Sequence, residues 1–138
     1  MALVVDASVT MAWCFEDEVS AYSEAILERV GREGAIVPSI WLLEVANVLL
    51  VAERGARIDQ AKTAEFCRLL QDLPIEIDQS SAAIVLGPLL ATGRVHGLSA
   101  YDAAYLELAA RNRLPIASED EGLKAAADAA GVSICLGD

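Results

Sequence analysis

The chain has 138 residues, enough for one domain with its own core and no disulfide support. Its hydrophobic fraction is 55%, but 25 residues are alanine, so much of that excess is small helix-forming methyl groups, and the bulkier remainder points to a buried oligomer or partner surface. Cys14, Cys67 and Cys135 are odd in number, far apart and without a CxxC pair, which argues against a disulfide framework and a structural zinc site and for reducing cytosol.

The net charge of −11 argues against the basic face that nucleic-acid binders usually carry. A carboxylate cluster holding a divalent cation accounts for part of the imbalance, because the bound ion offsets it locally. No basic leader precedes the first apolar run. The longest apolar stretches, 40–52 and 82–91, are too short to span a bilayer and are interrupted by Glu44, Asn47 and Pro88.

In chain order, residues 3–6 (LVVD) form a short β-branched run, read as a buried strand. Helices are predicted over 7–15 and 19–32, the second closed by Gly34, and a second strand over 35–38 (AIVP). Ser39 is expected to cap a helix running to about Arg54 and ending at Gly55, and Asp59 to open another to Leu73. A third strand is predicted over 74–78 (PIEID), then a helix over 80–94 kinked near Gly87 and Pro88. A helix over 99–112, a strand over 115–118, a helix over 119–130 and a fifth strand over 132–135 complete the pattern. Short apolar strands alternating with helices imply an α/β fold with a mostly parallel sheet covered on both faces. In such sheets ligands bind beyond the carboxyl ends of the strands, which decides which acids matter.

Asp6 ends the first strand, as a helix cap would or as a metal ligand would. Glu44 lies in IWLLEVANVLLVA, apolar on almost every side and therefore expected to be a buried helix. Asn47 stands three residues on, on the same face. A carboxylate there must be paired, protonated or bound to metal, the plain alternative being a buried polar pair that fixes a dimer register. Asp102 fits a capping box begun by Ser99, and Ser118 to Glu121 around Asp120 can be read as another. Each acid alone has a structural explanation. Together they fall on places that a parallel α/β sheet gathers at one edge, where unpaired carboxylates repel one another and a cation is the natural partner. Hard oxygen ligands favour Mg²⁺ or Mn²⁺. His96 is the single histidine, which excludes a two-histidine nuclease, and there is no GxSxG or GxxxxGK[ST] motif. Metal-assisted hydrolysis of a phosphate ester fits what remains.

Four segments, LVVDAS, EVANVL, LSAYDAAYLELA and PIASEDEGLKAAA, resemble in their order and spacing the PIN domain, and more narrowly the VapC-type toxins of type II toxin–antitoxin modules. The resemblance runs from Leu3 to about Ile134. It implies a single three-layer α/β/α domain over 1–138, with a five-stranded mostly parallel sheet of order 3-2-1-4-5. It implies catalytic and metal-holding acids at Asp6, Asp102, Asp120 and Glu44 (the last directly or through water), and supporting polar residues at Ser8, Asn47 and Ser118. Family members usually carry threonine where this chain has Ser118, and a non-acidic residue is commoner at Glu119, so Glu119 and Glu121 compete with Asp120 for the role. It further implies a cytoplasmic endoribonuclease acting on RNA with Mg²⁺, or Mn²⁺ as substitute, a homodimer, and a cognate antitoxin that occludes the site.

Rival readings fit less well. A phospho-acceptor receiver domain wants an acidic pair after the first strand and a lysine after the last, and this chain has neither. A dehalogenase-like phosphatase wants DxD where Asp6-Ala-Ser8 stands. A catalytically silent interaction module is the remaining alternative.

Overall fold

The computed structural model describes residues 1–137. Four strands, β1 (Leu3–Val5), β2 (Ala35–Pro38), β3 (Ile75–Asp78) and β4 (Ile116–Ala117), form a parallel sheet of order β3-β2-β1-β4. The registers pair Val4 with Ile36 on one side and with Ile116 on the other, and Val5 with Ala117. The expected order is therefore met for these strands. The expected fifth strand is reduced to one parallel bridge between Ile134 and Ile116, held by Ile116 N–H to Ser133 O at 2.9 Å and Cys135 N–H to Ile116 O at 2.8 Å. Its partner β4 is only two residues long, so there is little strand left to pair with.

The helices are α1 (Ala7–Ala12), α2 (Ala21–Glu33), α3 (Ile40–Arg54), α4 (Gln60–Asp72), α5 (residues 82–96), α6 (Ala100–Asn112) and α7 (Glu121–Ala129). The first ends three residues earlier than predicted, and a 3₁₀ turn, Glu16–Glu18, follows. The second starts at Ala21 because Ser20 caps it, in a capping box with Ser23. The predicted kink in α5 takes the form of a π turn, Val85–Leu89, around Pro88, which has no N–H to give to the ladder.

From β1 through β2 to β3 the chain moves one way across the sheet, and from β3 to β4 it crosses back. Right-handed crossovers in opposite directions place their helices on opposite faces. Accordingly α1 packs with α2 and α3, while α6 packs with α7 and against β1 and β2. The direction changes between β1 and β4, the topological switch point where open parallel sheets leave a crevice.

The core is Leu3, Val4 and Val5 of β1, flanked by Val37, Ile116, Ile26, Val30, Trp41, Tyr105, Leu106 and Leu108. One expectation is corrected here. Helix α3 is not buried on every side: Trp41, Val45, Leu49 and Ala52 face the core, but Leu43 is 68% and Val51 56% exposed. Its near-continuous apolar composition reflects an open apolar face as well as a packed one.

Candidate active site at the carboxyl edge of the sheet

Asp6 follows β1, and Ser118 follows β4, its neighbour across the switch point. The Asp6 N–H donates to Ala117 O at 3.1 Å, extending the ladder by one rung and bringing the two residues side by side. Asp6 is nearly buried, and its carboxylate is held from three directions. Oδ1 accepts from Ser8 Oγ at 2.6 Å and from Val9 N at 3.1 Å, and Oδ2 accepts from Ser118 Oγ. Behind it, Trp41 Nε1 donates to Thr10 Oγ1 at 3.0 Å, and that hydroxyl donates to Asp6 O at 2.8 Å. The capping role read from the sequence is thus real, but Asp6 has far more support than a cap requires.

The two serines also tie the loop after β4 to the start of α1. Ser8 Oγ accepts from Glu119 N at 3.0 Å, and Ser118 Oγ from Asp120 N at 3.0 Å. Asp120, not Ser118, caps α7, with Oδ2 accepting from Leu123 N at 2.8 Å, so the second predicted capping box is not formed. At α6 the cap is Ser99, whose Oγ accepts from Asp102 N at 3.2 Å, and no return bond from the Asp102 side chain is made. Asp102 therefore stands half-buried in the first turn of α6 with its carboxylate free of the capping duty.

Electrostatics binds the acids into one group. Burial pushes the Asp6 carboxyl up against the pull of its three hydrogen bonds, and the charge of Asp120 adds to the rise. Asp102 is raised by burial and then by Asp120. Glu44 is raised by burial, opposed by a hydrogen bond from Tyr105, and raised again by Asp102 and Asp6. None of the four makes an ion pair among the described residues. Of the three consecutive acids, Asp120 is the one that acts on the cluster. Glu121 is paired with Lys124 at 2.9 Å, and Glu119 accepts from Ser20 Oγ at 3.4 Å.

Two features depart from the sequence reading. The partner of Glu44 is Tyr105, whose hydroxyl donates to Oε1, and not Asn47, which is exposed and makes no side-chain hydrogen bond among the described residues. Tyr105 lies three residues after Asp102 and so shares its face of α6, the one signal in the sequence that places it near the acids. Its hydroxyl is driven up by burial and by the neighbouring Glu44 charge, so it stays a proton donor. Secondly, among the described residues no three His, Cys, Asp or Glu side chains are gathered as a finished metal cage.

The donor set nonetheless fits a divalent cation. It is all oxygen and negative, and no cation among the described residues pairs with it, so the repulsion of the acids is not relieved by an ion pair there. Asp6, Glu44, Asp102 and Asp120 are the side chains that would hold the ion.

Acids without counter-charges among the described residues, at the switch point of a parallel α/β sheet, mark the place where such folds bind ligands. Residues 3–129 match the PIN domain family, and the chain belongs to that family. PIN domains are typically metal-dependent nucleases. No curated protein matches the chain. Among solved structures, the crystal structure of PAE2754 from Pyrobaculum aerophilum is similar, with a TM-score of 0.68 at 23% identity, covering 91% of this chain and 87% of that one. At that identity the likeness bears on the fold. No helix among the described residues is long and apolar enough to cross a membrane.

Proposed function

We propose that the chain, as one domain over 1–138, is a cytoplasmic Mg²⁺-dependent endoribonuclease, with Mn²⁺ as substitute, and the toxin of a toxin–antitoxin pair. The observation that carries the nuclease reading is that Asp6, Glu44, Asp102 and Asp120 follow or face the carboxyl ends of the strands and none of them makes an ion pair among the described residues. A bound cation would neutralise the scissile phosphate and lower the pKa of the attacking water. Asp6, fixed by Ser8, Val9 and Ser118, provides the rigid anchor. Asp102 and Asp120 approach from the starts of two helices, and Glu44 completes the set directly or through water. Ser8 and Ser118 are supporting residues because each holds both Asp6 and the Asp120 loop. One carboxylate would accept the proton of the attacking water. In-line attack leaves 5′-phosphate and 3′-hydroxyl ends.

The toxin role rests on the open apolar surface. A groove of about 360 Å³ between α3 and α4 is lined by Trp41, Leu42, Val45, Leu49, Leu70 and Ile77. It suits an amphipathic antitoxin helix, and the net charge of −11 suits a basic side chain beside it that reaches the acids. Leu86 and Val95 on α5, 70% and 76% exposed, are offered as part of the homodimer surface.

The test is cleavage of single-stranded RNA in Mg²⁺, in Mn²⁺ and in EDTA, with the ends identified by mass spectrometry. Metal-dependent cleavage to 5′-phosphates is expected. A folded protein that takes up no Mn²⁺ and leaves RNA intact is an interaction module instead. For the antitoxin, the association rate of the purified pair should fall as salt rises, and a rate indifferent to salt contradicts the proposed charge pairing.

A further inference from the structure

RNA must approach acids that repel its phosphates, so the charge around them decides where it can enter. Residues 79–101, the stretch between β3 and Asp102, contain no aspartate or glutamate, in a chain of net charge −11. Their one formal charge is Arg94, in the last turn of α5. Arg94 is exposed and makes no ion pair among the described residues.

Tight packing of α5 on α6 fixes its place. Gly97 turns the chain with a φ of 64°, and Leu98 N–H donates to Gly93 O at 3.0 Å. A Cβ on Gly93 would lie 3.2 Å from Leu98 O and 3.7 Å from Ala103 Cβ, so glycine there lets the end of α5 press against the start of α6. The cleft between them, about 210 Å³, is lined by Leu89, Leu90, Gly93, Arg94, Leu98 and Ala100, none of them an acid. Asp102 lies two residues past Ala100, and Tyr101 between them is 61% exposed. Tyr101 stands four residues before Tyr105 and so on the same face of α6, one turn nearer the helix start. Tyr105 in turn donates to Glu44. Tyr101 therefore presents an open ring on the side of α6 that carries Asp102 and turns to Glu44. An arginine at a helix end and a single surface aromatic each have a plain structural reading. Neither reading accounts for their meeting beside Asp102 in the acid-free stretch.

We propose that Arg94 and Tyr101 form the RNA entry platform of the ribonuclease reading above, on which this inference rests. The Arg94 guanidinium pairs with a backbone phosphate neighbouring the scissile one, and the Tyr101 ring stacks the adjoining base. Every base has a π face, so the platform takes single-stranded RNA with little sequence preference. Successive residues lie about 100° apart around a helix, so a dimer contact through Val95 need not cover Arg94.

Three variants test it in the full chain: Arg94→Gln, Tyr101→Leu and Tyr101→Phe. The readouts are anisotropy of a labelled single-stranded RNA in EDTA at low salt, kcat and KM for its cleavage in Mn²⁺, and thermal melts. Arg94→Gln should raise Kd about fivefold and shrink the slope of log Kd against log salt by about 0.7, the share of one phosphate contact on a single strand. Tyr101→Leu keeps apolar bulk without the π face and should raise Kd about fivefold at unchanged salt slope, the lower range for a stacked base. Tyr101→Phe should recover most of that loss. In cleavage both losses should fall on KM rather than kcat. The platform is overturned if Arg94→Gln leaves Kd, KM and salt slope at wild-type values, as a helix-end cation that alters only the melt would. It is overturned equally if Tyr101→Leu binds RNA as well as Tyr101→Phe does. Wild type that binds RNA with both dependences yet never cleaves overturns the nuclease reading alone, and wild type that neither binds nor cleaves overturns both.

Discussion

Two groups of carboxylates in this molecule have opposite surroundings. At the carboxyl edge, burial raises Asp6, Glu44 and Asp102, neighbouring acids add to the rise (Asp120 for Asp6 and Asp102, Asp102 and Asp6 for Glu44), and no ion pair among the described residues relieves them. At the last residue of β3, Asp78 shares Arg111 with Glu107 of α6. The Arg111 Nε lies 2.8 Å from Glu107 Oε2 and its Nη2 3.0 Å from Asp78 Oδ2, and Asp78 is held below the usual carboxylate range. The residue types are the same, and the neighbours differ. Glu107 is the more deeply buried carboxylate than Glu44, so burial alone does not mark a functional acid. The counter-charge is what differs: arginine neutralises one group, and under the proposed function the other is left for a cation.

The largest expected effect comes from breaking the bare group. Asp6→Ala should lower RNA cleavage at least about a thousandfold, roughly 4 kcal/mol of activation free energy. It should also cost about 1–2 kcal/mol of stability, as for a lost helix cap. Cleavage assays beside circular dichroism check both, and a folded variant with full activity removes Asp6 from the site.

Breaking the paired group should do the reverse. Arg111→Ala leaves Glu107 buried without its cation, which should cost about 2 kcal/mol in urea unfolding, a value discounted because Arg111 is 31% exposed. Cleavage per folded molecule should be unchanged. A loss of activity at unchanged stability would erase the distinction between the groups.

The smallest effect is a pH dependence. The Arg111 guanidinium lowers Asp78 in the folded state, so the unfolded chain binds this proton more readily. The contribution of Asp78 is present above its unfolded pKa of about 4 and is lost as pH falls through its lower folded value. Asp78→Asn should therefore flatten the acid limb of stability between about pH 5 and 2, by under about 1 kcal/mol for this partly exposed pair. Urea melts across that range measure it, and an unchanged limb assigns the acid loss elsewhere.

Much of this contrast was legible before folding. The place of Asp6 follows from an apolar run that stops at an acid, and the gathering of Asp102 and Asp120 follows from the alternation of strands and helices. The differing surroundings of Asp120 and Glu121 need geometry, because only the folded loop turns Glu121 to Lys124 while the charge of Asp120 acts on Asp6 and Asp102. The Tyr105–Glu44 bond spans 61 residues and lies in an apolar helix, so no local pattern announces it. The open face of α3 is not legible in the sequence because composition gives the amount of apolar surface and not the element that covers it. The fifth strand shrank to a bridge because pairing length is set by both strands, and β4 is short.

Asp102 carries the sharpest test, since a capping acid and a metal-holding acid behave oppositely when neutralised. Asp102→Asn and wild type should be melted in EDTA and in excess Mg²⁺. Without metal, relief of repulsion should make the variant the more stable protein. With metal at ~100 times its dissociation constant, wild type should gain about 2.7 kcal/mol and the variant much less. A variant that melts below wild type in EDTA, with both proteins responding equally to Mg²⁺, would make Asp102 a helix-end acid and contradict the metal site.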